Sequence, residues 1–248
     1  MAAEEIVNCG GFLPHCYKPG FAHFVTYRLN GSIPKIRLRE MAQRRSGRIK
    51  SPQVYGLTGK HCRETAHKLF FLEFDEALDV SDTDRWLGHP AIAKIIRENL
   101  HHHNGTLYQL LSWCVMSNHV HILIQPFEYS SLPDSFDASA KDFVCSDEVA
   151  DADSPLSRIM HSLKSYTANE ANRVLGRQGT FWQRESYDHW VRDLDELQRI
   201  VDYIRMNPVK AGLCANPNDW VFSSAYDRYV LDGSDCGLVG KLRDDWRR

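Results

Sequence analysis

The amino-acid sequence predicts a mixed fold of α-helices and β-strands around a single hydrophobic core. A chain of 248 residues is long enough for one large domain, or for a domain with insertions. Two adjoining apolar runs, 108–116 and 119–125, are typical of buried strands. Three further segments, which begin at Pro90, Ser154 and Asp193, repeat apolar residues at helical spacing. We therefore expect both helices and strands to contribute to the core.

The first third of the chain contains one clear strand and two less regular segments. Residues 23–29 (HFVTYRL) are β-branched and aromatic, which predicts a strand. Residues 30–60 are basic and are broken by glycine, serine and proline, so we expect a loop with a short helix over 38–45. The apolar run 68–74 fits either a second strand or the start of a helix, and both interpretations stay open.

Capping residues and prolines predict where the middle helices begin and end. Pro90 suits the first turn of a helix, and the Asn104-Gly105 pair is typical of its end. Ser154-Pro155 supplies a cap and a first-turn proline for a second helix, which should continue to about Leu175, just before Gly176.

The last helix is preceded by a segment, 180–191, that we expect to be extended. Asp193 or Asp195 can cap this helix, which should run to Asn207. We expect Pro208 to stop it, because proline lacks the backbone N–H that continues a helix.

Charge is distributed unevenly, although the formal net charge is only −2. Residues 18–60 contain ten lysines and arginines and a single acidic residue, Glu40. Residues 128–153 contain eight acidic residues and one lysine. The first segment predicts a basic arm, and 127–153 is expected to be an acidic, partly disordered surface insertion.

Composition and cysteine usage favour a cytoplasmic protein. The apolar fraction of 43% and charged fraction of 25% are ordinary for a soluble globular chain. Seven cysteines are scattered without a CxxC pair, so we expect reduced thiols. No stretch approaches the roughly 18 apolar residues of a membrane helix, and the N-terminus lacks the pattern of a secretion signal. We expect no contact with a membrane.

His119 and His121 are candidate metal ligands. Residues i and i+2 of a strand share a face, so both imidazoles can reach one point. Neutral imidazole is the commonest protein ligand for metals. A polar or hydrogen-bonded histidine pair is the alternative. The flanking run WCVMSNHVHILIQP places the pair in a core strand, where unpaired imidazoles would be costly.

Tyr203 and Asn207 lie one turn apart on the last predicted helix and therefore share a face. The buried stripe of that helix consists of Leu194, Leu197, Val201 and Ile204, and Tyr203 lies off it. This arrangement can present a hydroxyl and an amide oxygen to one site. An ordinary boundary tyrosine, followed by an asparagine that ends the helix before proline, is the alternative.

A basic and aromatic segment, 162–193, is a candidate nucleic-acid surface. Cations pair with phosphates, and aromatic faces stack on unpaired bases. A solvated helix face followed by core aromatics is the alternative. Together with the basic arm, the candidate DNA contacts are Arg28, Arg44, Arg45, Lys164, Arg173, Arg177, Trp182, Arg184 and Arg192.

Two other sets of residues are given no functional role. Tyr166 is a rival nucleophile, but Glu170 at i+4 does not make it the better choice. The acidic residues of the 75–84 region are assigned to a turn. They are Asp75, Glu76, Asp82 and Asp84.

Several segments, in order along residues 20–226, resemble the HUH single-tyrosine transposases, and among them the REP-associated tyrosine transposase branch. They are FVTYRLNGSIP, WCVMSNHVHILIQP, SLKSYTANEANRVLGRQGTFWQRESYDHWVRD, YIRMNPVKAGL and DWVFSSA. One departure is Ser117, where the family usually has proline, and this puts the geometry of the turn in doubt but removes no ligand.

The resemblance implies an α+β fold, an antiparallel β-sheet with packed helices like the ferredoxin-like or RRM-like palm of HUH nucleases. It implies one such domain over 1–226 and a C-terminal tail over 227–248. His119, His121 and Asn207 would hold Mg²⁺ or Mn²⁺, and Tyr203 would be the nucleophile.

The implied activity is nicking and strand transfer on single-stranded DNA, with hairpins of the REP type as the implied substrate. It would proceed through a 5′-phosphotyrosine and without a nucleotide cofactor. The protein would act as a monomer or homodimer. Two other functions stay open: a non-catalytic regulator that binds structured nucleic acid, and a hydrolase that uses water as the nucleophile.

Overall fold

The computed structural model describes residues 6–8, 13, 15–56, 62–127 and 154–226. The strands are β1 (Ile6–Asn8), β2 (His15–Tyr17), β3 (His23–Arg28), β4 (Tyr108–Val115), β5 (His119–Pro126) and β6 (Tyr187–Trp190). The α-helices are α1 (Lys35–Lys50), α2 (Cys62–Asp79), α3 (Pro90–His102), α4 (Pro155–Val174) and α5 (Leu194–Lys210). The predicted acidic insertion, apart from Phe127, and the predicted C-terminal tail lie outside the described residues.

A four-stranded antiparallel sheet, in the order β4-β5-β3-β6, forms the centre of the fold. Strands β1 and β2 pair separately as a two-stranded sheet. The fold is therefore α+β, as predicted. Strand β5 lies between β4 and β3, and His121 is opposite Thr26 on one side and Cys114 on the other. The candidate histidines are thus held by backbone hydrogen bonds on both edges of their strand.

Helices cover both faces of the sheet, because successive side chains of β5 point in opposite directions. Val120, Ile122 and Ile124 pack in a core that includes residues of α3 and α4. Leu123 packs on the other face, in a core with residues of α1, α2 and α5. His121 belongs to this second face, where its ring stacks on that of Phe24 at 5.6 Å.

The predicted strands at 23–29, 108–116 and 119–125 are confirmed, as are the helix that begins at Pro90 and the helix that begins at Pro155 after its cap, Ser154. In the segment 180–191 only β6 is a strand, and Trp182 forms an isolated bridge to Leu29. The prediction of an extended segment is therefore only partly confirmed. No helix among the described residues combines the length and apolar content needed to cross a membrane.

Three predictions about helices were wrong or incomplete. Helix α1 has 16 residues and extends well beyond 38–45, so the prediction of a loop with only a short helix there was wrong. The ambiguous run 68–74 belongs to helix α2, and Asp75 and Glu76 lie in that helix, not in a turn. Helix α5 begins after its predicted cap, Asp193, but passes through Pro208 and ends at Lys210. Proline removes one hydrogen bond near the end of a helix, but its fixed φ angle is itself helical.

Candidate active site

The two histidines of β5 point at one another from the same face of the strand. Their side chains are buried, and the Nε2 atoms of His119 and His121 are 3.0 Å apart. Burial, together with the neighbouring His121, lowers the pKa of His119 well below its usual value. His119 is therefore neutral, and neutral imidazole is the form that binds a metal.

Asn118 orients the ring of His119 through its own hydrogen bonds. The amide nitrogen of Asn118 donates to the carbonyl oxygen of Leu78 at 2.9 Å, so its Oδ1 faces Nδ1 of His119 at 2.7 Å. Because Oδ1 can only accept, Nδ1 of His119 carries the proton and Nε2 presents a lone pair. Thr26 Oγ1 lies 2.8 Å from Nδ1 of His121. Such partners on the outer ring nitrogen are typical of metal-ligating histidines.

Asp75 of helix α2 completes a cluster that the sequence interpretation missed. Its carboxylate is buried, with Oδ1 at 3.4 Å from Nε2 of His121 and Oδ2 at 2.8 Å from Nζ of Lys210. One ligand atom from each of Asp75, His119 and His121 lies within 4.8 Å of the others. The signal was present in the sequence: with Phe71, Phe74 and Leu78 at helical spacing, Asp75 falls on an apolar stripe.

Charges around Asp75 determine its protonation. Burial alone would raise the pKa of Asp75, but its contacts with His121 and Lys210 hold it well below its usual range. Burial and the adjacent Asp75 charge raise the pKa of Asp79, one turn further along α2, to about 6. Lys210 lies between both carboxylates, 3.7 Å from Asp79 Oδ2. Lys210 therefore faces two acidic side chains at once.

Tyr203 lies beside the histidine pair. Its ring packs edge-on against those of Phe24, Phe71 and His121, with a centroid separation of 5.5 Å to His121. Its hydroxyl group is buried beside Asp75 and Asn207 but makes no hydrogen bond of ordinary geometry. Burial, and to a smaller extent the charge of Asp75, raises the pKa of Tyr203 far above its usual value. In this structure the hydroxyl is therefore protonated at neutral pH.

Asn207, one turn after Tyr203, is completely buried, and neither polar atom of its amide has a hydrogen-bond partner. A buried amide without a partner costs about 1–3 kcal/mol, and a cation bound at its oxygen would offset part of that cost. These residues fit a divalent cation. The spacing of the two Nε2 atoms equals the roughly 3 Å between adjacent ligands of an octahedral ion with bonds of about 2.1 Å.

Three of the predicted DNA contacts are buried, which contradicts their assignment to a binding surface. Arg28 donates to Ser32 Oγ and is 1% exposed, and the Arg45 guanidinium lies over the ring of Phe70. Trp182 is 5% exposed and donates from Nε1 to Thr167 Oγ1. Since a base-stacking side chain needs an open face, Trp182 is a core residue, as the alternative interpretation held.

The other predicted contacts are wholly or partly accessible, and several of them pair with carboxylates. Arg44 pairs with Glu73, Arg173 with Glu170, and Arg192 with Glu64. Arg177 lies over the ring of Trp86 at 4.1 Å, and Arg184 is exposed. Lys164 donates to the backbone oxygens of Gln183 and Arg184, and burial lowers its pKa to about 7. Lys164 thus orders the 183–184 loop.

An Asn118→Ala substitution should weaken Mn²⁺ binding. The variant frees the His119 ring to rotate, and loss of such an orienting partner costs about 10- to 100-fold in metal affinity. Isothermal titration of the purified protein with Mn²⁺ measures the change. Ser117→Ala is the matched control, because the described role of Ser117 is a backbone contact, its oxygen accepting from Leu87 N. If the Asn118 variant binds Mn²⁺ as tightly as wild type does, Asn118 has no part in orienting a metal ligand.

The fold and the site together define an α+β protein with a half-buried tyrosine beside a potential centre for a divalent metal. No family model matches the sequence. Over 117 residues, or 47% of this chain, the sequence is 29% identical to a Haemophilus influenzae protein that carries the name of a REP-associated tyrosine transposase. The match spans 58% of that relative's length. A solved structure of a REP-associated tyrosine transposase bound to a REP hairpin aligns with 88% of this chain and 83% of its own, at 19% identity and a TM-score of 0.39.

Proposed function

We propose that this protein is a metal-dependent single-stranded DNA endonuclease and strand transferase that forms a 5′-phosphotyrosine intermediate. The observation that carries the proposal is the contact of the Tyr203 ring with His121, at 5.5 Å between centroids, next to a cluster of three potential metal ligands. Nucleophile and electrophilic centre thus share one buried site. The similarity to the Haemophilus relative agrees with this interpretation.

The proposed step is an in-line displacement at phosphorus. The oxygen of Tyr203 forms a bond to the phosphorus atom as the bond to the 3′-oxygen breaks, and the phenolic proton leaves while the 3′-oxygen acquires one. His119, His121 and Asn207 would hold Mg²⁺ or Mn²⁺. Bound there, the ion would supply Lewis-acid stabilisation of charge on the phosphate. The phosphotyrosine conserves the bond, so a 3′-hydroxyl can reverse the step and join strands.

We propose structured single strands, such as REP-type hairpins, as the substrate, because the relative is named for that association. The protein would work in the cytoplasm, as a monomer or homodimer. Residues 1–226 would form the catalytic domain, including the acidic insertion, and 227–248 a tail. Arg44, Lys164, Arg173, Arg177, Arg184 and Arg192 stay as proposed contacts to DNA.

A covalent-adduct assay tests the proposed function. The full chain is incubated with a labelled single-stranded hairpin and Mn²⁺, and the products are separated on a denaturing gel. A labelled species at the mass of protein plus DNA supports a tyrosine nucleophile. Cleavage without that species would support a hydrolase that uses water, and binding without cleavage would support a non-catalytic regulator.

Hairpin binding should weaken steeply as salt rises. Each phosphate contact to single-stranded nucleic acid contributes about 0.7 to the slope of log affinity against log salt. Arg173→Ala, on an exposed side chain at the end of α4, should therefore lower the slope by about that amount. Arg199→Ala, an exposed arginine of α5 outside the proposed surface, is the control. Fluorescence anisotropy in EDTA measures both, and a flat response of wild type to salt would contradict the proposed interface.

A further inference from the structure

We propose that Asp75 is itself a ligand of the divalent cation, so that the centre consists of two imidazoles and a carboxylate in addition to the Asn207 amide. The inference rests on the proposed function, whose implied ligand set contains the two histidines and the amide but no carboxylate. The two imidazoles of this centre, not the carboxylate, should favour Mn²⁺ over Mg²⁺.

Distances among the three side chains carry the proposal. Nε2 of His121 lies 3.0 Å from Nε2 of His119 and 3.4 Å from Oδ1 of Asp75. Adjacent ligand atoms of an octahedral ion, each about 2.1 Å from the centre, are about 3 Å apart. The distances from Nε2 of His121 to His119 and to Asp75 are therefore close to the spacing of adjacent ligand atoms around one ion.

An ordinary hydrogen bond between Asp75 and His121 explains the geometry less well. A separation of 3.4 Å exceeds the 2.7–3.2 Å typical of N–H···O bonds, and Oδ1 of Asp75 is left without a hydrogen-bond partner. A buried carboxylate oxygen needs such a partner or a cation. The buried amide of Asn207 independently lacks one as well.

Lys210 acts as a positioning residue for this carboxylate. Its ammonium group binds Oδ2 of Asp75 at 2.8 Å, which leaves Oδ1 facing His121. Asp79 lies one turn beyond Asp75 on α2 and also approaches Lys210. The single positive charge of Lys210 thus faces the side chains of two acidic residues, Asp75 and Asp79.

The donor set determines which ions should bind. Carboxylate and amide oxygens suit Mg²⁺ and Mn²⁺, whereas imidazole suits first-row transition metals and is a poor ligand for Mg²⁺. Two imidazoles with a carboxylate form a mixed set, the type that holds divalent first-row ions with open positions for substrate. We therefore expect the ion to be bound in the absence of DNA, and Mn²⁺ to bind more tightly than Mg²⁺.

The test is the Mn²⁺ affinity of the DNA-free full chain, measured by the loss of the free-ion EPR signal. Asp75→Asn keeps the shape of the side chain but removes the anionic ligand, and it should weaken binding by on the order of 100-fold or more. Asp79→Asn is the matched control. It removes the same charge one turn away, so its affinity should fall by less than about tenfold. Competition with Mg²⁺ on wild type measures the selectivity.

A wild-type measurement guards against misfolding of the Asp75 variant. In crystals soaked with Mn²⁺, the anomalous peak should lie about 2.2 Å from Oδ1 of Asp75. A peak bound to the histidines but separated from Asp75 by a water molecule would overturn the inference, as would unchanged affinity of a folded Asp75→Asn protein. Either result leaves the proposed function intact if the covalent adduct still forms. If the wild-type protein binds no Mn²⁺, the inference falls together with the proposed metal centre.

Discussion

A Tyr203→Phe protein should form no covalent adduct with hairpin DNA, while its fold and its affinity for the hairpin stay close to those of wild type. Phenylalanine removes the attacking oxygen and leaves the ring contacts with Phe24, Phe71 and His121 in place. Because the buried hydroxyl makes no hydrogen bond of ordinary geometry, its loss should change the free energy of unfolding by no more than about 1 kcal/mol. Denaturing gels and urea titrations measure the two quantities.

Tyr166→Phe is the matched control for this experiment. Tyr166 is a tyrosine of helix α4 with 53% of its surface exposed, and it was the rival candidate in the sequence. Its variant should give the wild-type amount of adduct. An adduct that persists in Tyr203→Phe but disappears in Tyr166→Phe would reassign the nucleophile. Loss of hairpin affinity in Tyr203→Phe would instead indicate a role in binding.

The second large effect is expected when both histidines of β5 are replaced. A His119→Ala, His121→Ala protein should lose measurable Mn²⁺ binding, and its adduct yield should fall by at least about 100-fold. The oxygens of Asn207 and Asp75 alone are too few ligands to hold the ion once both imidazoles are lost. EPR titration with Mn²⁺ and the adduct assay measure the two losses.

Both histidines are buried, so the double variant needs evidence that it is folded. Circular dichroism and hairpin binding in EDTA provide that evidence, since neither depends on a metal. His161→Ala is the control, because His161 is exposed on helix α4, outside the cluster. If a folded double variant still cleaves the hairpin at the wild-type rate, the histidines are structural and the proposed metal centre is wrong.

Local patterns in the sequence were sufficient for strands β3, β4 and β5 and for the shared face of the histidine pair. The alternation of side chains along 119–125 places His119 and His121 on one face, and this depends only on the geometry of a strand. The spacing of Tyr203 and Asn207 similarly needs only the period of a helix. The placement of both pairs, on strand β5 and on helix α5, is confirmed because each pair lies within one segment, and the ligand and nucleophile roles stay predictions.

Contacts between distant segments could not be predicted in the same way. Asp75 was assigned to a turn because the run before it was ambiguous between strand and helix, and the charge of Asp75 hid its place on the buried stripe of α2. Trp182 was misassigned for a related reason. An aromatic side chain between arginines looks the same in sequence whether it stacks on a base or, as here, donates to Thr167 in the core.

The hydrogen bond from Asn118 to the carbonyl oxygen of Leu78 connects two properties of the molecule. Leu78 is in the last turn of α2, where carbonyl groups lack partners within the helix, so the amide of Asn118 caps that helix from outside. The other end of the same amide orients His119. A substitution that removes the whole amide, such as Asn118→Ala, should therefore lower thermal stability and cation affinity together, whereas Asn118→Asp keeps the acceptor for His119 and loses only the donor to Leu78.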